Sequence, residues 1–234
     1  MTSPATTGPF VFAALNTGAP PAHVPDAAQE SRQDVVAAWL ARSMQATELR
    51  ITGWSRLSGG AIQGNFALDV EVRDGSFAGP QRLVLRTDAA TAVPASLDRR
   101  QEFAVLRAAC AAGVRAPEPL FLCEDRIVFG ASFFVMRRLP GVAAGRRIVR
   151  DAALVPDRAA LAFDLGENLA RIHALTPPRH GLEGLRPPHA DHARAAIAQY
   201  RGFLDAMNDA HPAIEWGLRR CEVTAPHPGQ TTLI

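Results

Sequence analysis

Residues 66–87 read FALDVEVRDGSFAGPQRLVLRT, in which two runs of alternating apolar residues flank a turn-rich centre. Alternation with a period of two is typical of half-buried strands, and the glycines and proline of DGSFAGP favour a turn between them. The stretch LRITGWSRL at residues 49–57 has the same character, and SGGAIQGN at residues 58–65 joins it to the first run. The pattern predicts a three-stranded antiparallel meander.

A helix and two more strands are predicted on the C-terminal side of this meander. Residues 97–112 place apolar side chains on one face at helical spacing, and Gly113 is a typical C-terminal stop. The short apolar runs PLFLCED, at residues 119–125, and IVFGASFFVMRRL, at residues 127–139, then indicate two strands. A Pro-Gly pair breaks the chain directly after them. A five-stranded sheet is therefore expected.

The segment before the meander divides into an arm and a helix. Residues 1–28 are rich in Ala, Thr, Pro and Gly with weak periodicity, so we expect a flexible arm. Apolar residues at helical spacing follow Ser31, which is a suitable N-cap. They predict a first helix that runs to about Met44 and covers one face of the sheet.

The second half of the chain is predicted to be helical. One helix is expected to start near Asp157, an acidic cap, and to direct an apolar face into the core. This face comprises Leu161, Leu165, Leu169, Ile172 and Leu175. Further helices are expected around residues 193–207 and 212–220, and the closing TTLI has the character of the first half of a strand.

The composition excludes several classes of function. An apolar fraction of 47% with 21% charged residues is typical of a globular chain. All 25 basic residues are arginine, so no lysine is present to bind a phosphate or to form a Schiff base. These arginines are spread along the chain instead of forming a basic stripe with interleaved aromatics, so no nucleic-acid partner is expected. The signature motifs of α/β-hydrolases, P-loop proteins and zincins do not occur in the sequence.

Cysteine usage and hydropathy predict a cytoplasmic location. The three cysteines, Cys110, Cys123 and Cys221, show no Cys-x-x-Cys spacing and are expected to be buried thiols in a reducing compartment. No stretch approaches the roughly 20 apolar residues that a membrane helix needs, and the N-terminus has no basic region ahead of an apolar run. We therefore expect no membrane partner.

Five segments of the chain follow one another as they do in the phosphotransferase family that includes aminoglycoside and choline kinases. They read LSGGAIQGNFALDVEV, LVLRTD, RRQEFAVLRAACAAGVRAPEPL, FFVMRRLPG and LGENLARIHAL. Over residues 51–175 the chain resembles this family, and more narrowly its acyl-CoA-dehydrogenase-associated branch. The resemblance implies an α+β, protein-kinase-like fold. Its N-terminal lobe would be a five-stranded antiparallel sheet plus a helix at residues 29–139, and an incomplete helical C-terminal lobe would occupy residues 140–234.

The family's catalytic motifs are missing from these 234 residues. A His-Gly-Asp segment with a downstream Asn, and an Ile-Asp-Trp-like segment, do not occur in the sequence. Phosphoryl transfer needs a carboxylate to orient the attacking hydroxyl and ligands for Mg²⁺, and the family supplies both from those motifs. We therefore expect a chain that stops before the catalytic loop and binds nucleotide at best, without turnover.

The resemblance places nucleotide phosphates against the loop that follows the first strand. Ser58 would donate from its hydroxyl, and Gly59, Gly60 and Gly64 would let backbone N–H groups approach the phosphates closely. An ordinary glycine-containing hairpin is the alternative interpretation of these residues.

The resemblance also implies an ion pair between Arg86 on the third strand and Glu102 on the following helix. Kinase-like folds place a phosphate-holding lysine and its glutamate partner at these two positions. Arginine keeps the charge but is longer and fork-shaped, so it does not reproduce the contact of a lysine. The alternative is a strand-edge arginine and a solvated glutamate.

Residues 136–139 correspond by resemblance to the hinge between the lobes. Met136 would pack near an adenine ring, with Arg138 beside it, whereas the alternative is simply a buried final strand. His173 is expected to be a packed or hydrogen-bonded structural histidine instead of a base, and His180, His189 and His192 are expected to lie in a solvated loop without binding metal.

The function implied by the resemblance is phosphorylation of a hydroxyl on a small molecule, with ATP or GTP and Mg²⁺ as cofactors. The metal ligands are expected in the missing segment, and the partners are the nucleotide and a small-molecule acceptor. The alternative is a non-catalytic, pseudokinase-like binding or interaction module in which Arg86 only stabilises the lobe. Core faces left uncovered by an incomplete helical lobe are expected to favour a homodimer or aggregation.

Overall fold

The computed structural model describes residues 27–57, 63–88, 96–142, 144–185, 189–207, 209–226 and 232–233. Its strands are β1 (Leu49–Arg56), β2 (Gln63–Val72), β3 (Gly79–Asp88), β4 (Pro119–Cys123) and β5 (Phe133–Arg137). Its helices are α1 (Ala27–Met44), α2 (Arg99–Ala111), α3 (Arg126–Phe129), α4 (Gly145–Arg150), α5 (Arg158–His173), α6 (His192–Asp205) and α7 (Pro212–Thr224).

The five strands form one antiparallel sheet in the order β1-β2-β3-β5-β4. The first three strands are the predicted meander, and α2 and β4 lie between β3 and β5 in the chain. The predicted α+β fold with a five-stranded antiparallel sheet is confirmed. Because β3 and β5 pair directly, side chains of β2, β3 and β5 share the two faces at the centre of the sheet.

Helix α1 covers one face of this sheet. Val36, Leu40 and Met44 are buried against Leu83, Leu85 and other apolar residues of the strands. Each fully buried side chain of this size stabilises the fold by about 1.5–3 kcal/mol. The predicted cover is confirmed, but the predicted start after Ser31 is wrong, because the helix already begins at Ala27. The preceding residues Ala-Ala-Gln-Glu are strong helix formers and extend it past the serine.

Helix α2 packs on the opposite face of the sheet. Its Phe103 ring contacts the Phe134 ring of β5, with 5.9 Å between centroids. The Asp98 side chain caps the helix by accepting from the backbone N–H of Gln101 at 2.7 Å. Gly113 follows the helix with φ +78, as expected of a glycine stop.

The run at residues 127–139 is not a single strand as predicted. Its first part is the short helix α3, and only Phe133–Arg137 pair in the sheet. The Asp125 carboxylate accepts from the N–H of Ile127 at 2.9 Å, and Gly130 ends the turn with φ +91. These two residues convert an apolar run into a helical turn, whose Val128 is buried in the core.

The remaining described elements are helical, as predicted, and Asp157 caps α5. The predicted core face of α5 is wrong in part. Leu165 and Leu169 are 62% and 49% exposed, and only Leu175, beyond the helix end, is buried. The periodicity of a sequence identifies an apolar helix face but does not show whether another element packs against it.

The closing TTLI is not in a strand at its described residues, Thr232 and Leu233. The backbone N–H of Leu233 donates instead to the carbonyl of Leu175 at 2.9 Å.

Candidate functional site

Strand register places three rows of side chains on the sheet face that carries α2. The charged row holds Asp69, Arg82 and Arg138, the apolar row holds Ala67, Val84 and Met136, and the arginine row holds Asn65, Arg86 and Phe134. Successive rows are two residues apart along each strand, which corresponds to about 6.6 Å. The face therefore changes from charged to apolar and back to charged within about 13 Å.

The arginine row contains the expected pair of Arg86 and Glu102. Arg86 Nε donates to Glu102 Oε1 at 2.8 Å, and Nη2 lies 2.7 Å from the same oxygen. Arg86 Nη1 also donates to Asn65 Oδ1 at 3.1 Å. The two charged side chains are 24% and 21% exposed. The structure thus brings the two residues together on the interior side of α2, and their role toward a nucleotide stays a prediction.

Sequence reasoning missed Arg99, the first residue of α2, whose side chain is only 2% exposed. Its Nη1 donates to the second Glu102 oxygen, Oε2, and its Nη2 donates to the Leu97 carbonyl at 3.0 Å. Its Nε lies 3.0 Å from Asp88 Oδ1, an ion-pair distance without hydrogen-bond geometry. The available signal was the i,i+3 spacing of Arg99 and Glu102, which places them on one side of a helix.

Burial makes this cluster sensitive to substitution. A guanidinium withdrawn from water needs partners, and removal of one partner of a buried ion pair destabilises a protein by about 3–5 kcal/mol. Exposed pairs such as Arg73 with Glu48, where both side chains are more than 60% exposed, contribute about 0–1 kcal/mol. The ion pairs of Glu102 with Arg99 and with Arg86 are therefore expected to stabilise the fold more than the exposed pairs do.

The glycine loop lies mostly outside the part of the chain that the structure describes. Ser58, Gly59 and Gly60 all lie outside the described residues. Gly64 is within β2, opposite Thr87, and a Cβ added there would lie 3.0 Å from Thr87 Cγ2. Close strand packing therefore explains why residue 64 is a glycine.

The two residues predicted for the hinge, Met136 and Arg138, have different surroundings. Met136 is half-buried and lies beside Val84 in the apolar row. Arg138 donates from Nη2 to Asp69 Oδ1, and its side chain is 16% exposed. Its Nε is buried without a hydrogen-bond partner. Arg138 thus connects the end of β5 to β2 through a contact that needs no ligand.

The apolar row forms the floor between the two charged rows. Ala67 and Val84 are buried at 4% and 5% exposure, and their side chains are shorter than the arginines on either side.

The histidines and cysteines form no second site among the described residues. His173 is exposed at the end of α5, so the packed alternative of its prediction is wrong. His180 is exposed, and His189 Nδ1 accepts from the Asp191 N–H at 3.0 Å. Cys221 is exposed, contrary to the expectation of three buried thiols, whereas burial raises the pKa of Cys110 and Cys123.

The described residues do not fit a magnesium site. Within them, no three His, Cys, Asp or Glu side chains converge in a way that could hold a metal ion.

A cleft of about 410 Å³ lies along the side of α2 away from Glu102, lined by Phe103, Arg107, Leu122, His180 and other residues. It includes neither Arg86 nor Met136 and is separate from the three rows.

None of the described helices combines the length and apolar character needed to cross a membrane.

One known protein family matches most of the chain. The model of the phosphotransferase enzyme family, APH, matches residues 53–234. Acyl-CoA dehydrogenase family member 10 of Mus musculus is 26% identical over 159 residues, which cover 66% of this chain and 14% of that protein. Acyl-CoA dehydrogenase family member 11 of Gallus gallus is 35% identical over 111 residues, covering 45% of this chain and 13% of that protein. The chain thus spans about a seventh of these relatives.

A solved structure has a similar fold. The protein from Ralstonia eutropha JMP134, provisionally described as an aminoglycoside phosphotransferase, aligns with a TM-score of 0.54 and 18% identity. The alignment covers 80% of this chain and 51% of the other.

Proposed function

The chain belongs to the phosphotransferase enzyme family, and from this we propose that its arginine row binds the phosphates of ATP or GTP for phosphorylation of a hydroxyl on a small molecule. The proposal assigns residues 29–139 to a nucleotide-binding lobe and residues 140–234 to part of a helical lobe. Isolated thiols and the lack of a long apolar run favour the cytoplasm as its location.

One observation carries the proposal: the apolar row lies directly beside Arg86, which Glu102 and Asn65 hold in place. A base packed against Met136, the half-buried member of the apolar row, would have its phosphates within reach of the guanidinium, because the rows are about 6.6 Å apart. Arginine has five N–H donors, so Arg86 can keep its protein contacts and still donate to a phosphate. Ser58, Gly59 and Gly60 would approach the same phosphates from the loop before β2.

Turnover is not part of the proposal for these 234 residues. The family's catalytic carboxylate and metal ligands belong to motifs that do not occur in the sequence. What the chain's own residues would do is bind and orient a nucleotide.

A thermal-shift titration with ATP tests this function. Nucleotide at 100 times its dissociation constant stabilises the native state by about 2.7 kcal/mol, which corresponds to roughly 5–10 °C in Tm for a chain of this size. We expect this shift in the wild type and its loss in Arg86→Ala. Arg73→Ala is the matched control, since it removes an exposed arginine from the far end of β2. An equal shift in Arg86→Ala and wild type would contradict phosphate binding by Arg86.

A non-catalytic binding module is the second candidate. The contacts of Arg86 and Arg138 favour it, because both guanidiniums bind residues of the sheet or α2 in ways that stabilise the lobe without a ligand. The absence of any ATP shift in the wild type, together with a lower Tm in Arg86→Ala, would support this candidate.

A further inference from the structure

Two arginines share the carboxylate of Glu102, one on each oxygen. Arg86 binds Oε1, and Arg99 binds Oε2 from a position three residues earlier on α2. The Glu102 carboxylate is therefore fixed from both sides. Because Arg99 also contacts the Leu97 carbonyl and Asp88, it anchors the beginning of α2 to the end of β3.

Sharing changes the charge that faces the nucleotide. A glutamate that paired with Arg86 alone would neutralise it. With Arg99 on its other oxygen, the group of Arg86, Glu102 and Arg99 carries a formal charge of +1. Asp88, two residues from Arg86 on β3, offsets this charge at the Nε of Arg99, but its side chain is 46% exposed and is screened by solvent. The attraction between Arg86 and a phosphate is therefore cancelled less than it would be in a pair of Arg86 and Glu102 alone.

Sharing also leaves donors free on Arg86. Its Nε and one hydrogen of Nη1 are hydrogen-bonded, and Nη2 is held at ion-pair distance from Glu102. At least one hydrogen on each terminal nitrogen remains for a ligand, because each carries two. Two neighbouring N–H groups of a guanidinium match two oxygens of one phosphate.

We propose that Arg99 is a positioning residue for phosphate binding by Arg86. It acts through Glu102: it holds Oε2 so that Oε1 keeps the Arg86 guanidinium oriented, and it preserves the positive charge of the group. This inference rests on the proposed nucleotide-binding function. It adds a residue to that site that never touches the nucleotide itself.

The neighbouring residue Arg100 offers a matched control. It has the same charge on the same helix, but its side chain is 68% exposed and pairs with Glu124 instead of Glu102. Calorimetric titrations of wild type, Arg99→Gln and Arg100→Gln with ATP and with adenosine therefore separate positioning from overall charge and from helix stability.

We expect Arg99→Gln to weaken ATP binding about tenfold, the value of one charge-assisted hydrogen bond. Adenosine has no phosphates, so its affinity should be the same in Arg99→Gln and wild type. Arg100→Gln should match the wild type for both ligands. Equal losses of ATP and adenosine affinity in Arg99→Gln would show a purely structural role and overturn the proposal, as would unchanged ATP affinity.

Hydrogen exchange of the Arg86 Nε–H, followed by NMR, tests the same coupling without nucleotide. The exchange should be faster in Arg99→Gln than in wild type and unchanged in Arg100→Gln. If Arg99→Gln does not fold, Arg99→Lys takes its place, since a lysine keeps the charge but lacks the fork that reaches Glu102 and Leu97 together. Exchange as slow as in wild type would overturn the proposal.

The two experiments fail separately. If the wild type binds neither ATP nor GTP, the proposed function is wrong. The influence of Arg99 on Arg86 is then decided by the exchange measurement alone.

Discussion

Arg86 occupies the position at which the family resemblance leads one to expect a lysine. The longer, planar side chain reaches Glu102 and Asn65 at the same time, which a single ammonium group on a flexible stem would do less rigidly. An arginine at this position therefore gives a fixed guanidinium but lacks the adaptability of a lysine. The additional contact of the arginine is with Asn65, which lies opposite Arg86 in the register of β2 and β3.

Two glycines should respond oppositely to replacement by alanine. A Cβ at residue 64 would lie 3.0 Å from Thr87 Cγ2, and the Thr87 hydroxyl is held by the Ser132 carbonyl, so the threonine cannot easily move away. We expect Gly64→Ala to lower the free energy of unfolding by about 1–3 kcal/mol. Gly166, inside α5, has no neighbour within 4 Å, so Gly166→Ala should raise it by about 0.5–1 kcal/mol.

Urea denaturation of the two variants and the wild type measures both effects, and each variant serves as the control for the other. A stabilised Gly64→Ala variant would contradict the close packing of β2 on β3.

At the scale of elements, periodic patterns predicted the strands and the long helices, whereas features that depend on a few contacts were missed. The helical turn α3 is shorter than any periodic window and depends on the Asp125 cap and on Gly130. The burial of Arg99 follows from tertiary contacts with Asp88 and Glu102, which no local pattern contains. For α5 the period identified the apolar face correctly but not whether another element covers it.

In the α6–α7 hairpin, Glu222 of α7 accepts from Arg201 of α6 at 3.3 Å and from Arg219 of its own helix at 2.8 Å. These hydrogen bonds lower the pKa of Glu222 below its usual value of 4.5, Arg219 having the larger effect. Because the pKa is lowered on folding, the stabilisation is fully present above pH 4.5 and is lost as the pH falls through the lowered value.

Acid titration followed at the indole N–H of Trp216, which lies on α7, should therefore show the hairpin loosening in the wild type. In Glu222→Gln this step should disappear. Glu183→Gln makes the same change in charge at an exposed residue outside the hairpin and should behave as the wild type. The same acid transition in Glu222→Gln would contradict the assignment.

At the scale of the whole molecule, apolar side chains are unevenly covered. The strands are buried on the α1 side, but α5 exposes Leu165 by 62% and Leu169 by 49%, which lie one turn apart on the same face of the helix. Exposed apolar patches favour association. We expect self-association that increases with protein concentration in sedimentation velocity and is reduced in Leu165→Glu.

Ala159→Glu adds the same charge to an exposed position of α5 without removing an apolar side chain, so it serves as the control. A monomer at all concentrations, or equal effects of both variants, would contradict a role for this face.

The two ends of helix α2 contact different parts of the molecule. Its C-terminal end, at Ala109, packs with Val114, Leu175 and Leu233 in a small cluster separate from the main core. Glu102 lies seven residues from Ala109, about 10 Å along the axis at 1.5 Å per residue. A tilt of the helix by about 5° around Ala109 would displace the Glu102 carboxylate by about 1 Å, enough to lengthen a hydrogen bond beyond its range. Packing around Leu175 and Leu233 at one end of α2 thus contributes to the position of Glu102 nearer the other end.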